Sequence, residues 1–213
     1  MDGLVLDSES GYFTAWQQAA KELGFSLSSS FCESLSGMHG HVITQRLLET
    51  YGMRFDVDAF YSLSAEIWRR LVQKQGIPVK KGFYQLLACL RDRSLPYVLA
   101  TNSRRVDAEQ CLNWAGLKDV FPIMVCREDV NHPKPAPDLF VKSAQSLGVR
   151  QQECLVLEDS PIGIAAAFAA DCPCIFVPSL LPADSEASRQ ADWVMWDLAQ
   201  VADFISERCD HPL

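Results

Sequence analysis

Asp2, Thr101, Asn102, Ser103, Lys134, Glu158 and Asp159 are the residues of this 213-residue chain whose types and positions point to shared chemistry. Residues 101–103 follow the apolar run Pro96-Tyr97-Val98-Leu99-Ala100, and residues 158–159 follow Cys154-Leu155-Val156-Leu157. Lys134 stands in His132-Pro133-Lys134-Pro135, and Asp2 lies at the start. Together they supply an acid, hydroxyl and amide donors, a cation and a carboxylate pair. That set suits phosphoryl transfer, in which a metal and a lysine neutralise phosphate oxygens, donors orient them, and a carboxylate handles the leaving-group proton. Hard oxygen ligands without His or Cys favour magnesium. Singly, each has a structural alternative: Ser103 as a helix N-cap, Glu158-Asp159-Ser160 as an acidic first turn, Lys134 as a solvated loop lysine. The ordered set, recurring after apolar runs, favours a site.

The elements that must position these residues follow from hydrophobic period. From Gly11 to Gly24, Phe13, Trp16, Ala20 and Leu23 recur at helical spacing, and further helices are expected at about 41–51 and 57–75. After Val79 the pattern changes to short apolar runs, at 96–100, 123–125, 154–157, 174–177 and 193–195, separated by helices at about 82–93, 105–115, 137–147 and 162–170. Such alternation calls for a parallel sheet flanked by helices, an α/β fold of the Rossmann-like kind, carrying a helical insertion. The expected division is 1–10 with 78–213 as the α/β core and 11–77 as a helical cap. Ligands of open parallel sheets gather at the carboxyl ends of the strands, where these polar groups lie.

Composition narrows the partners. Apolar residues make up 48 % and charged residues 22 %, enough to bury a core. A net charge of -8 repels a phosphate backbone and argues against nucleic acid as a partner. No run approaches the roughly 20 apolar residues of a membrane span, and the first residues are acidic. The eight cysteines are scattered through apolar contexts, as small buried hydrophobes in a reducing compartment are, so a cytoplasmic monomer is expected. Cys172-Pro173-Cys174 lacks a second pair or a nearby His for zinc, and suits strand alternation.

The ordered motifs resemble the haloacid dehalogenase superfamily, in its β-phosphoglucomutase-like branch of phosphatases with a helical cap. Asp2-Gly3-Leu4-Val5-Leu6-Asp7-Ser8-Glu9 is similar to the branch's opening signature from its second acid onward, and Leu99 to Ser103 to its second motif. Lys134-Pro135 with Pro137-Asp138 resembles the third, and Leu157-Glu158-Asp159-Ser160 with Gly163 the fourth. The resemblance implies a magnesium-dependent phosphatase acting on a small phosphomonoester through an aspartyl phosphate. By it, Asp2 is the general acid/base and lends its carbonyl to magnesium, Thr101 and Asn102 hold the phosphoryl group, Lys134 neutralises it, and Glu158 and Asp159 complete the metal site.

One member of the pattern has no counterpart. The family's nucleophilic aspartate lies two residues before the acid/base, at the tip of a central apolar strand, and that position falls ahead of Met1. The expected sheet therefore lacks its middle strand. Either Met1 is the internal methionine of an Asp-Met-Asp-Gly motif, the reading favoured here, or the chain is an inactive relative that only binds. The mutases of the branch typically carry a histidine shortly before Phe-x-Ala-Trp and an arginine in the cap loop. Here Tyr12 precedes Phe13-Thr14-Ala15-Trp16 and the loop reads Gly37-Met38-His39-Gly40-His41, so hydrolysis is expected over a hexose-phosphate mutase. Ser103, Met38, His39, His41 and Arg46 are the candidates for substrate contact.

Overall fold

The computed structural model describes residues 1–35, 40–179 and 181–210; Met38 and His39 lie outside the described residues. The chain divides into two compact units, Asp7–Ile77 on the one hand and Met1–Leu6 with Pro78–Leu213 on the other.

The first unit is all helix: α1 (Glu9–Glu22), α2 (Ser29–Ser34), α3 (Gly40–Tyr51) and α4 (Val57–Gln75). Helix α1 starts two residues before Gly11, with Glu9 placed against the exposed N–H groups of its first turn. Asp56 caps α4 by accepting from Ala59 N at 2.9 Å, and Gly76 ends it with φ at +75°. The core holds Ala15, Ala19, Leu47, Phe55 and Phe60, with Phe60 fully buried. Its ring meets Trp16, Phe55 and Tyr61 at centroid distances of 6.3, 5.1 and 5.5 Å. Each such buried aromatic contributes about 1.5–3 kcal/mol, so the unit has an apolar centre of its own.

The second unit alternates helix and strand: α5 (Phe83–Asp92), β1 (Leu99–Ala100), α6 (Arg105–Trp114), β2 (Met124–Val125), α7 (Asp138–Leu147), β3 (Val156–Glu158), α8 (Pro161–Ala169), β4 (Cys174–Phe176), α9 (Ser185–Gln190), β5 (Trp193–Val194) and α10 (Leu198–Asp210). Every strand pair is parallel, as the alternation predicts. The strands form two ladders, β1-β2 and β3-β4-β5. Strand β1 takes up only the last two residues of its apolar run, where it pairs with β2; at the start of the run Pro96 has no N–H to contribute. Strand β3 starts at Val156 and takes in Glu158, one position beyond the run from which it is read. Helices α2 and α9, six residues each, escape periodicity; their signals are the caps Ser28 and Asp184.

All eight cysteines are free thiols, and all but Cys154 and Cys209 are buried. Burial pushes the thiols of Cys32 and Cys172 up to about 11, and burial together with Asp2 and Asp107 pushes Cys111 up to about 12, so these remain protonated and packed. Among the described residues no helix is long and apolar enough to cross a membrane.

The loop after β2 carries an acid-sensitive contact. Asp129 Oδ2 accepts from Cys126 N at 2.7 Å and from Arg105 Nη2 at 2.6 Å. The backbone bond from Cys126, with the Arg105 charge, holds its carboxyl below the usual aspartate value. A carboxyl depressed in the fold stabilises fully above its unfolded value, about pH 4, and that contribution is lost as pH falls through the folded value. Asp129→Asn is therefore expected to cost about 1–3 kcal/mol at neutral pH and nothing further in acid. Urea midpoints of both proteins across this window check it; equal losses at neutral and acidic pH contradict it.

Candidate active site

The carboxyl ends of β1 and β3 and the loop before α7 bring the polar clusters together. Thr101 leaves β1 with its N–H on Val125 O at 3.0 Å, is 4 % exposed, and accepts from Ser103 N at 3.1 Å through Oγ1. That short turn aims the next backbone groups across the strand ends. Asn102 then spans to the neighbouring loop: its Nδ2 donates to Lys134 O at 3.2 Å and its Oδ1 accepts from Lys134 N at 3.0 Å. One side-chain amide thus fixes both backbone groups of the lysine.

The Lys134 side chain turns inward, where its side chain and that of Glu158 are each 7 % exposed. Its Nζ donates to Ala100 O at 3.1 Å, ion-pairs with Glu158 Oε1, and lies 4.7 Å from the centre of the Phe140 ring. Glu158 Oε2 accepts from Asp159 N and Ser160 Oγ, both at 3.2 Å. Burial works to raise the Glu158 pKa, but the ammonium groups of Lys134 and Met1, with hydrogen bonds from Lys134 and Ser160, outweigh it and hold the carboxyl below its usual value. Both oxygens are thereby engaged, and Glu158 acts on Lys134. Gly163 keeps this arrangement possible, since a Cβ there would lie 1.9 Å from Glu158 Oε2.

Asp2 and Asp159 meet through Gly3. Residues 1–6 form a turn in which Met1 O accepts from Val5 N at 2.8 Å and from Leu6 N at 3.1 Å. The turn needs φ of +74° at Gly3, where a Cβ would fall 2.1 Å from Asp159 Oδ2 and 3.2 Å from Ser179 Cβ. It leaves Asp2 Oδ2 accepting from Ser103 Oγ at 3.3 Å. Among the described residues no group of three or more His, Cys, Asp and Glu side chains is placed to hold a metal. Two carboxylates do meet the needs of magnesium, which is bound through one or two carboxylates and otherwise keeps water and substrate oxygens.

These seven polar residues form one cluster at the strand ends of a single unit. A model of the haloacid dehalogenase-like hydrolases matches residues 1–177. The chain belongs to that family. It is similar to hexitol phosphatase A of Escherichia coli, 29 % identical over 205 residues that cover 94 % of this chain and 90 % of that protein. It is also similar to the fructose-1-phosphate phosphatase YqaB of the same organism, 31 % identical with 80 % and 89 % covered. The β-phosphoglucomutase of Clostridium difficile shares its fold, with a TM-score of 0.69, 23 % identity and coverage of 98 % and 94 %.

Among the remaining candidates, His41 and Arg46 are exposed on α3 of the helical unit. Five positions apart, they leave the helix roughly 140° from one another, which does not make a shared grip. Sequence reasoning passes over Ser179, which lies against Gly3 beyond β4, and the support of Lys134 by Phe140. Both signals are single residues in ordinary contexts; only the recurrence of a polar residue after the run 174–177 could have drawn attention to Ser179.

Proposed function

We propose that this haloacid dehalogenase-like hydrolase cleaves a small sugar or polyol phosphate with the help of magnesium. The observation that carries the reading is the buried Lys134 ammonium, clamped by Asn102 and Glu158 beside Thr101, Asp2 and Asp159. Lys134, the Thr101 hydroxyl and the Asn102–Ser103 backbone bind and orient the phosphoryl oxygens; the Asp2 carboxyl donates a proton to the departing alkoxide and then takes one from the attacking water. The carboxylate of Asp159 and the carbonyl of Asp2 would hold magnesium, which supplies charge neutralisation on the phosphate. In this reading hydrolysis passes through an aspartyl phosphate that water opens, with Asp2 handling the protons. The phosphatases to which the chain is similar act, by their names, on a hexitol phosphate and a fructose phosphate, which supports that substrate class. Tyr12 favours hydrolysis over phosphate transfer between sugar positions: its ring stacks on Trp68, 4.8 Å centre to centre and 1° from parallel, where the mutases carry a histidine.

Hydrolysis of an aryl phosphate and of a panel of hexose and hexitol phosphates, with magnesium, tests this. Magnesium-dependent turnover of a hexose or hexitol phosphate is expected, and Asp2→Asn is expected to remove most of it. No turnover of any phosphomonoester with magnesium, or turnover that Asp2→Asn leaves unchanged, defeats the reading.

A further inference from the structure

Three of the thiols gather at one place in the α/β unit. Cys172 and Cys174 are buried in the apolar cluster that α8 shares with β3 and β4, together with Val156, Ile164 and Ala167, and Cys154 packs against the same cluster. Strands β3 and β4 run parallel with Val156 opposite Cys174, and Val156 N donates to Pro173 O at 2.8 Å. One pleat back on both chains, the same register sets Cys154 opposite Cys172, on the face that α8 covers. Neighbouring strands lie about 4.8 Å apart, inside the span of about 4.4–6.8 Å between Cα atoms that a disulfide requires. The other pairings fail. Cys154 to Cys174 is a diagonal of roughly 8 Å, and Cys172 and Cys174 follow one another along a strand with Cβ atoms about 6.6 Å apart, where the bond needs about 3.5–4.5 Å. The opposed pair stands ahead of the ladder proper, which starts at Val156 and Cys174, so the two backbones are free to draw slightly together. Burial, then the neighbouring Cys154 and Cys174, hold the Cys172 thiol up at about 11, as befits sulfurs packed side by side.

We propose that Cys154 and Cys172 form a thiol–disulfide exchange site, which a small disulfide of the glutathione kind oxidises to a covalent link between the starts of β3 and β4. Cys172 is 5 % exposed and Cys154 half-buried, so Cys154 reacts first. Its thiolate bonds to one sulfur of the small disulfide, whose S–S bond breaks and whose other half leaves as a thiolate. Cys172 then gives up its proton, and its sulfur displaces the half carried by Cys154. Two protein thiols are oxidised, one small disulfide is reduced to two thiols, and the protons of the two cysteines end on those thiols. Burial shields Cys172 from reagents in solution but not from a sulfur already beside it. The link closes a loop that contains β3, Asp159 and α8, so it ties the segment bearing Glu158 and Asp159 at both ends. The inference stands on the register and the thiols, and it holds or fails apart from the hydrolytic reading.

The test incubates the folded chain with oxidised glutathione at about pH 8.5, blocks the remaining thiols and cuts after Glu and Asp. Residues 154–158 and 172–184 are expected to be recovered joined, and to separate on reduction. Cys174→Ser should keep the link, while Cys154→Ser and Cys172→Ala should each abolish it. If Cys172→Ala does not fold, fragmentation of the joined peptides locates the bond instead. The linked protein is expected to melt about 5 °C or more above the reduced one, since the bond constrains the unfolded chain. Thiols that stay free, glutathione on Cys154 without a link, or a link through Cys174 overturns the proposal. So does a linked protein that melts no higher, since the fold would then have given way to make the bond.

Discussion

Replacing Lys134 with alanine is expected to destabilise the chain by about 3–5 kcal/mol, because the change strands a carboxylate inside the fold. Lys134 and Glu158 are each 7 % exposed, and Glu158 also accepts from Ser160 Oγ and Asp159 N, which do not neutralise its charge. Out of a total stability of about 5–15 kcal/mol, that loss is large. Removing both charges is a different matter: Lys134→Met with Glu158→Gln leaves a methylene chain over Phe140 and a neutral amide beside Ser160, and should recover most of the loss. Urea denaturation of the two single variants and the double variant gives the coupling directly. Additive losses would mean that the pair is not interacting. Activity separates the two roles, since the double variant should fold well and still turn over at least about a thousandfold more slowly.

The second large effect belongs to Asp2. Asp2→Asn keeps size and keeps an oxygen to accept from Ser103 Oγ, so the thermal midpoint should hardly move. Turnover of a hexitol phosphate should fall by about 10²–10⁴, the usual contribution of a positioned acid and base. The loss should shrink for an aryl phosphate, whose leaving group departs without a proton. Equal losses on the alkyl and aryl substrates would assign Asp2 to holding the site together rather than to proton transfer.

Much of this site was legible because parallel strands give their apolar runs a polar end. Thr101, Asn102 and Ser103, and Glu158 and Asp159, could be placed from that rule alone, and the resemblance tied Lys134 and Asp2 to them. Partner choice was harder to see. Glu158 and Asp159 are neighbours of the same chemical kind, yet strand alternation turns one inward to Lys134 and leaves the other against Gly3. Nothing in two consecutive acids says which will face the core; that depends on the register of β3 with β4, a non-local property. The short strand β1 shows the same limit, since the apolar run of 96–100 records burial, whereas the ladder records who is alongside.

Asn102 has a further consequence, one of precision rather than chemistry. With its amide bonded to both the N–H and the C=O of Lys134, it behaves like an extra peptide unit laid against that loop. The segment after β1 and the segment before α7 are then carried as one piece, so their thermal displacements are shared. A phosphate held between Thr101 and Lys134 is sensitive to the difference between two positions, and shared motion cancels in a difference. Exposed loops can therefore fluctuate together while the gap between hydroxyl and ammonium keeps its width.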